Sequence, residues 1–416
     1  MYYKSEQGLK DDALRQAVRE SLAGRDLKKV LILPPDYSRM YSGCGKLTAF
    51  YYELLKDTCE VDVMPALGTH VAMTREECEA FFEGVVPYEK LIVHNWRHDV
   101  VKIGEIPSDY VSEVSEGLFN ETIDVEVNHL LIDGGYDLIL SLGQVVPHEV
   151  VGMSSYSKNI FVGCGGFSII NSSHLLGAFY GMERIMGKDH SPVRKIFDYA
   201  QQHFMNDVPL LFVMTCATHT GHTTNIHGLY IGETRECFEM AVKHSQEKNM
   251  THVDEPFDKV IAYLDPREFK STWIGNKAVY RTCMAIRDGG ELIILAPGIE
   301  RFGEDDEFDR LIRKYGYVGR ENVLKLYNDP ANTDLKTNLS VVAHLIKGSS
   351  TGRFKITYCT KLLSKEEMEG MGLSYRPYDE MAEIYNPALL KDGWNDVNGE
   401  RVFYISNPAI GLWTKD

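Results

Sequence analysis

The chain has 416 residues, 44% hydrophobic and 25% charged, with a formal net charge of −16. That length exceeds what one hydrophobic core usually supports, so two domains are expected, each apolar enough for a core of its own. The acidic balance leaves no basic excess to offset phosphates, which argues against a nucleic-acid or anionic-membrane binder; an anionic substrate would need a few local Arg or Lys residues.

The eight cysteines, Cys44, Cys59, Cys78, Cys164, Cys216, Cys237, Cys283 and Cys359, are scattered without a CxxC pair and read as reduced thiols of a cytoplasmic protein. The start, MYYKSEQGLKDD, has no apolar signal core, and no run approaches the ~20 apolar residues of a membrane span.

In chain order, Lys10 to Leu22 predicts a helix and Lys29 to Leu33 (KVLIL) a buried strand. Pro34 and Pro35 stop the strand and present Asp36 and Arg39 beyond its end. These two can pair with each other; alternatively Arg39 offers a planar fork to a carboxylate while Asp36 orients a hydroxyl or a histidine. After a helix around Lys46 to Asp57 the design repeats. Val61 to Leu67 runs into Gly68-Thr69-His70, and Thr74 with Glu77 predicts a capping box for a helix through Phe82. In Leu91 to Asp99 (LIVHNWRHD), His94 and His98 follow a strand without a glycine turn and are expected to be structural, with His94 held in reserve.

Tyr136 to Leu142 (YDLILSL) reads as a strand of a parallel sheet, and such strands deliver functional residues from their carboxyl ends. His148 follows, in a turn stiffened by Pro147. Lys158 lies among Gly152, Ser154, Ser155, Ser157 and Gly163, small residues that let a bulky ligand approach; it reads as an anion contact or a covalent attachment point. The Gly143 to His174 stretch as a whole is expected to be loop-rich. On spacing alone its lysine and two histidines could equally be solvated polar residues. Helices are predicted over Leu175 to Met186 and Val193 to Met205. Cys216, His219, His222 and His227 fit no zinc spacing, and their stretch reads as a β-hairpin with Thr and His on its exposed faces.

A polar stretch, Glu247 to Pro256, sets the expected boundary between domains 1–255 and 256–416. The second is predicted as another α/β unit: strands Lys259 to Leu264, Glu291 to Ala296, Arg353 to Tyr358 and Arg401 to Ile405, with helices Asn276 to Arg287, Asp306 to Tyr315 and Asn338 to Ile346. The fold class is therefore α/β, two domains with largely parallel sheets and an active-site cleft between them. No Gly-x-Gly-x-x-Gly follows a strand and no Walker loop occurs.

The run Pro35-Asp36-Tyr37-Ser38-Arg39, the Ala66-Leu67-Gly68-Thr69-His70 turn with Met73-Thr74, and Pro147-His148 with Lys158 ten residues on and His174 sixteen further resemble the lactate racemase family of nickel-pincer 2-hydroxyacid racemases and epimerases. The resemblance implies a nickel-pincer nucleotide (pyridinium-3-thioamide-5-thiocarboxylate mononucleotide) held covalently by Lys158, with nickel bound by His174, and maturation by cofactor-biosynthesis proteins. His70 and His148 would be the acid/base pair on either face of the substrate carbon, with Asp36 and Arg39 orienting the pair and the substrate. A histidine would take the hydroxyl proton as the C2 hydrogen leaves as hydride; the keto acid would turn over and take the hydride back on its other face.

The chain departs from the lactate enzymes where they carry Tyr-Gln-x-x-Lys in the second domain. Here Tyr280-Arg281-Thr282-Cys283-Met284 stands, so Met284 replaces the carboxylate-binding lysine and Arg281 is offered from the neighbouring position. Tyr280 and Arg281 are expected to close over a small 2-hydroxy acid other than lactate, a sugar acid or a dicarboxylate. Two other classes stay open: a zinc hydrolase using His70, His148 and His174, and a non-catalytic binding protein of the same fold.

Overall fold

The structure, a computed structural model, describes residues 1–220 and 223–415. It divides into two compact units, Met1–Asn249 and Met250–Asp416.

The first unit is built on strands β1 (Tyr2–Lys4), β2 (Lys29–Leu33), β3 (Glu60–Val63), β4 (Val100–Ile106), β5 (Ile123–Asn128), β6 (Leu138–Gln144), β7 (Pro147–His148), β8 (Gly152–Met153), β9 (Leu210–Thr220) and β10 (Thr223–Gly232). Six of them form one sheet in the order β1-β10-β9-β6-β2-β3. Strands β9, β6, β2 and β3 run parallel, while β10 folds back antiparallel on β9 and pairs with β1. The near-continuous apolar runs of β2 and β6 are what a sheet covered on both faces demands, and every residue of β6 is buried. Leu14, Ala17 and Val18 of the helix Asp11–Leu22, and Leu47, Phe50 and Tyr51 of the helix Cys44–Leu55, pack onto Val30, Ile32, Val61 and Leu140. From β2 the chain moves outward to β3, whereas β6 lies on its other side, so the order reverses between β2 and β6. Ligand crevices of open α/β sheets lie outside the strand ends at such a switch.

Several segments differ from the sequence-based expectation. Strand β3 stops at Val63, because Pro65 cannot continue the ladder. Leu91 makes one bridge to Val63, and the rest of Leu91 to Asp99 is not a strand. The helix placed after His174 begins earlier, at Phe167, and runs to Tyr180, where Gly181 (φ 103°) breaks it; His174 therefore lies inside the helix. Lys158 is not in an open loop but opens a one-turn π-helix, Asn159–Gly163.

The second unit contains β11 (Met250–Val253), β12 (Phe257–Tyr263), β13 (Ile286–Ala296), β14 (Lys355–Thr360), β15 (Ser374–Pro377), β16 (Gly393–Val397), β17 (Glu400–Ile405) and β18 (Leu412–Lys415). Its main sheet has the order β15-β14-β13-β12-β17-β16, all parallel except β16, around a core that includes Ile261, Ile293, Leu295, Val402 and Tyr404. The helix Asp306–Tyr315 is capped by Asp305, whose carboxylate accepts from the Phe308 N–H (2.8 Å), and carries acidic residues first and Arg313 and Lys314 last, in the sense its dipole favours. The helix expected over Asn276 to Arg287 is cut to Lys277–Thr282, because β13 already begins at Ile286. The Asp288-Gly289-Gly290 turn is an irregularity inside β13, where the pairing with β12 shifts register and Gly289 takes φ 76°.

Candidate active site

Beyond β2, Asp36 begins a 3-10 turn, Tyr37–Ser42. Its Oδ1 accepts from the Ser38 N–H (3.1 Å) and hydroxyl (2.5 Å), which fixes the carboxylate in place. Its Oδ2 meets Nδ1 of His70, delivered from beyond β3. A carboxylate on Nδ1 assigns the proton of the neutral ring to that nitrogen and leaves the lone pair on Nε2, the form of a general base. Three residues past Asp36, the Nη1 of Arg39 is buried without a hydrogen-bond partner among the described residues. A buried donor left this way costs about 1–3 kcal/mol, which an anionic ligand would recover.

Beyond β6, the Pro147–His148 strand pairs with Gly152–Met153 in a tight reversal. Ser154 pins it: its hydroxyl donates to the Gln144 carbonyl (2.6 Å) and accepts from the Val146 N–H (3.1 Å). Within the reversal the Val150 N–H donates to His148 Nδ1 (3.1 Å). The neutral His148 ring therefore carries its proton on Nε2, the opposite of His70. The two histidines offer one acceptor and one donor.

Lys158 follows two non-glycine residues in the left-handed region, Ser155 (φ 70°) and Tyr156 (φ 57°). Burial pushes its ammonium down to about 8; the Arg39 and Arg194 charges act in the same direction, and Glu149 and Asp36 act against them. Those couplings place Lys158 among the residues delivered by β2 and β6. Two backbone anchors complete the assembly. The Asn159 side chain donates to the Leu142 carbonyl of β6 (2.8 Å), and the Gly68 N–H of the His70 turn donates to the Gly163 carbonyl (2.9 Å).

His174 projects from Phe167–Tyr180, and its Nδ1–H donates to the Ile170 carbonyl (2.7 Å), so Nε2 carries the lone pair a metal would use. One turn on, Gly177 lies against the His148 reversal so closely that a Cβ there would stand 2.9 Å from the Val150 carbonyl oxygen. Gly177 lies three positions on from His174, on the same side of the helix.

The first unit thus carries Asp36, Arg39, His70, His148, Lys158 and His174. Tyr280 and Arg281 lie in the second, on Lys277–Thr282, both buried. The Tyr280 hydroxyl is 2.9 Å from His344 Nδ1, and Arg281 donates to the Gly411 carbonyl (3.3 Å). His94 is buried, donates from Nε2 to the Gly165 carbonyl (3.0 Å) and accepts from Asn128 (3.0 Å); burial lowers its pKa, as suits a structural histidine. His98 is exposed. Cys216, His219 and His227 sit on the β9–β10 hairpin, with His219 stacked on Tyr41 and His227 bonded to Thr218 (2.8 Å); His222 lies outside the described residues. Sequence reasoning missed Arg194 and the anchoring role of Ser154, whose partners are backbone groups and one serine hydroxyl that no motif announces.

The Lactate racemase N-terminal domain pattern matches residues 9–187, a span that holds all six residues of the first unit's site. Over that span the chain is similar to the lactate racemase family. It is 22% identical over 306 residues to a lactate racemase of Thermoanaerobacterium thermosaccharolyticum, an alignment covering 69% of this chain and 65% of that protein. Among solved structures, a Thermotoga maritima protein matches with a TM-score of 0.84 at 22% identity over 100% of both chains. The lactate racemase apoprotein of T. thermosaccharolyticum matches with a TM-score of 0.65 at 18% identity, covering 96% of this chain and 92% of that one. These likenesses establish the shared α/β fold. Among the described residues no helix is long and apolar enough to cross a membrane.

Proposed function

We propose that this protein is a cytoplasmic racemase or epimerase that inverts C2 of a 2-hydroxy acid with a nickel-pincer nucleotide, on a sugar acid or dicarboxylate rather than lactate. The observation that carries the reading is the pair of histidines with opposite proton assignments, His70 on Asp36 and His148 on the Val150 N–H, together with a Lys158 that feels the charges of Asp36 and Glu149 beside them. Inversion of a secondary alcohol needs a base for the hydroxyl proton on one face and an acid for the carbonyl oxygen on the other.

The residues fit the cofactor. At about 8, the Lys158 pKa leaves an appreciable fraction of neutral, nucleophilic amine near neutral pH. His174 offers an imidazole nitrogen, oriented by its second hydrogen bond, to a borderline metal such as nickel. When bound, the group supplies the hydride acceptance and return that no side chain can provide. The chain's own residues do the remainder. His70 Nε2 takes the hydroxyl proton, and Asp36 stabilises the imidazolium that forms. On the opposite face His148, once protonated, supplies its Nε2 proton to the carbonyl oxygen and returns to the neutral form that the Val150 N–H favours. The unpartnered Arg39 Nη1 pairs with the substrate carboxylate. Delivery of the cofactor falls to biosynthesis proteins.

The zinc-hydrolase reading has less support. Among the described residues the donor grouping close enough to share an ion is Asp189, His190 and Glu239, not His70, His148 and His174.

The test is to incubate the loaded enzyme with single stereoisomers of lactate, sugar acids and hydroxy dicarboxylates in D2O. The expected product is inverted at C2 and retains protium there, because the hydrogen moves with its electron pair and does not exchange. Deuterium at C2, or inversion of none of these acids, would overturn the proposal.

A further inference from the structure

Arg194 is wholly buried, on a helix (Pro192–Phe204) that carries none of the residues assigned above. Its guanidinium lies over the Phe238 ring, 4.5 Å from the centroid. Its three hydrogen bonds all go to the segment leading into Lys158: Nη1 donates to Ser157 Oγ (2.6 Å), and Nη2 donates to the carbonyls of Met153 (2.6 Å) and Ser155 (3.2 Å). The same helix start adds a fourth tie through its cap, Ser191, whose hydroxyl donates to the Val151 carbonyl (2.8 Å). Further along, Gln201 donates to the Tyr156 hydroxyl (2.9 Å). One helix thus holds Val151, Met153, Ser155, Tyr156 and Ser157, the five residues that set the direction in which the chain enters Lys158.

That segment needs holding. Ser155 and Tyr156 are consecutive side-chain-bearing residues in the left-handed region, a conformation they would leave without external partners. A planar fork with fixed donors suits several acceptors at set angles; a lysine ammonium in its place is a single point.

We propose that Arg194 is a positioning residue for Lys158: its fork locks the left-handed Ser155-Tyr156 turn and so fixes where the Lys158 amine is presented. This rests on the reading of Lys158 as the attachment point, but its test does not require the cofactor.

The full chain, produced without the cofactor pathway, is labelled with cyanate over a range of pH. The carbamoylation of Lys158 is compared by peptide mass spectrometry with that of the exposed Lys325. The midpoint of the Lys158 rate profile reports its ionisation independently of access, in the field of the charges that face it, Arg39, Arg194, Glu149 and Asp36. The wild-type midpoint is expected near 8. In R194M and R194K alike it should rise by about one unit, a roughly 5-fold loss of neutral amine at pH 8. Ser157→Ala, which removes one acceptor without touching charge, should move it the same way by less. A midpoint unchanged in both Arg194 variants would overturn the proposal, as would one that moves in R194M and is fully restored in R194K, which would make Arg194 a charge and not a fork. If neither Arg194 variant folds, Ser157→Ala decides: an unchanged midpoint refutes the positioning role. Failure of the family chemistry would appear separately, as wild-type protein that never gains mass at Lys158.

Discussion

At the scale of single residues, the site is defined by what each side chain is bonded to. His70 and His148 are the same residue type, yet a carboxylate on one Nδ1 and a backbone N–H on the other give them opposite proton assignments. Lys158 carries a cost that tests its assignment. Its pKa lies near 8 in the folded protein against an ordinary 10.5. Between these values the unfolded chain binds a proton that the folded chain does not, so stability rises with pH across this window. Below 8 both forms are charged, and the full penalty of a buried ammonium remains. Lys158→Met should therefore stabilise the protein at pH 7 by on the order of 1–3 kcal/mol, an advantage that shrinks as the pH is raised through 8 towards 10. Denaturant melts of both proteins at several pH values check this, and a variant no more stable than wild type at pH 7 would contradict it. Asp36, His70 and His148 were legible in the sequence because each follows an apolar run cut off by proline or glycine. Arg194 was not, because it appears as one charged position in an ordinary amphipathic helix, and its partners lie some forty residues upstream.

At the scale of elements, strands β2 and β6 and the helix Asp306–Tyr315 were readable from apolar runs and charge placement, which act locally. The π-turn after Lys158 and the early start of the His174 helix were not. Both are rich in Gly, Ser, Asn and apolar residues and are buried on most sides, so their hydrophobic pattern has no clear periodicity. What fixes them is packing, above all the contact of Gly177 with the Val150 carbonyl. Gly177→Val should push the His174 helix away from the His148 reversal, costing roughly 1–3 kcal/mol of stability. Because it separates His174 from His148, it should also lower nickel retention and turnover more than the lost stability explains. Nickel content measured per folded chain checks this, and full retention would show that the close approach is not needed.

At the scale of the whole molecule, two domains were expected from length alone, and the chain divides at Asn249/Met250, six residues before the 255/256 boundary placed by composition. The polar stretch that suggested a linker is partly the end of the helix Arg235–Asn249 and partly β11, which pairs with β18 near the far end of the chain. Such a long-range pairing leaves no local trace in the sequence. The account stands on Lys158 as the point where this chain meets its cofactor, and one measurement bears on that most directly: the intact mass of the full chain expressed in nickel-supplemented cells that make the pincer nucleotide. A mass gain that maps to the peptide containing Lys158 and is absent from Lys158→Met is the predicted result. An unmodified chain, from cells in which a control racemase is loaded, would contradict it.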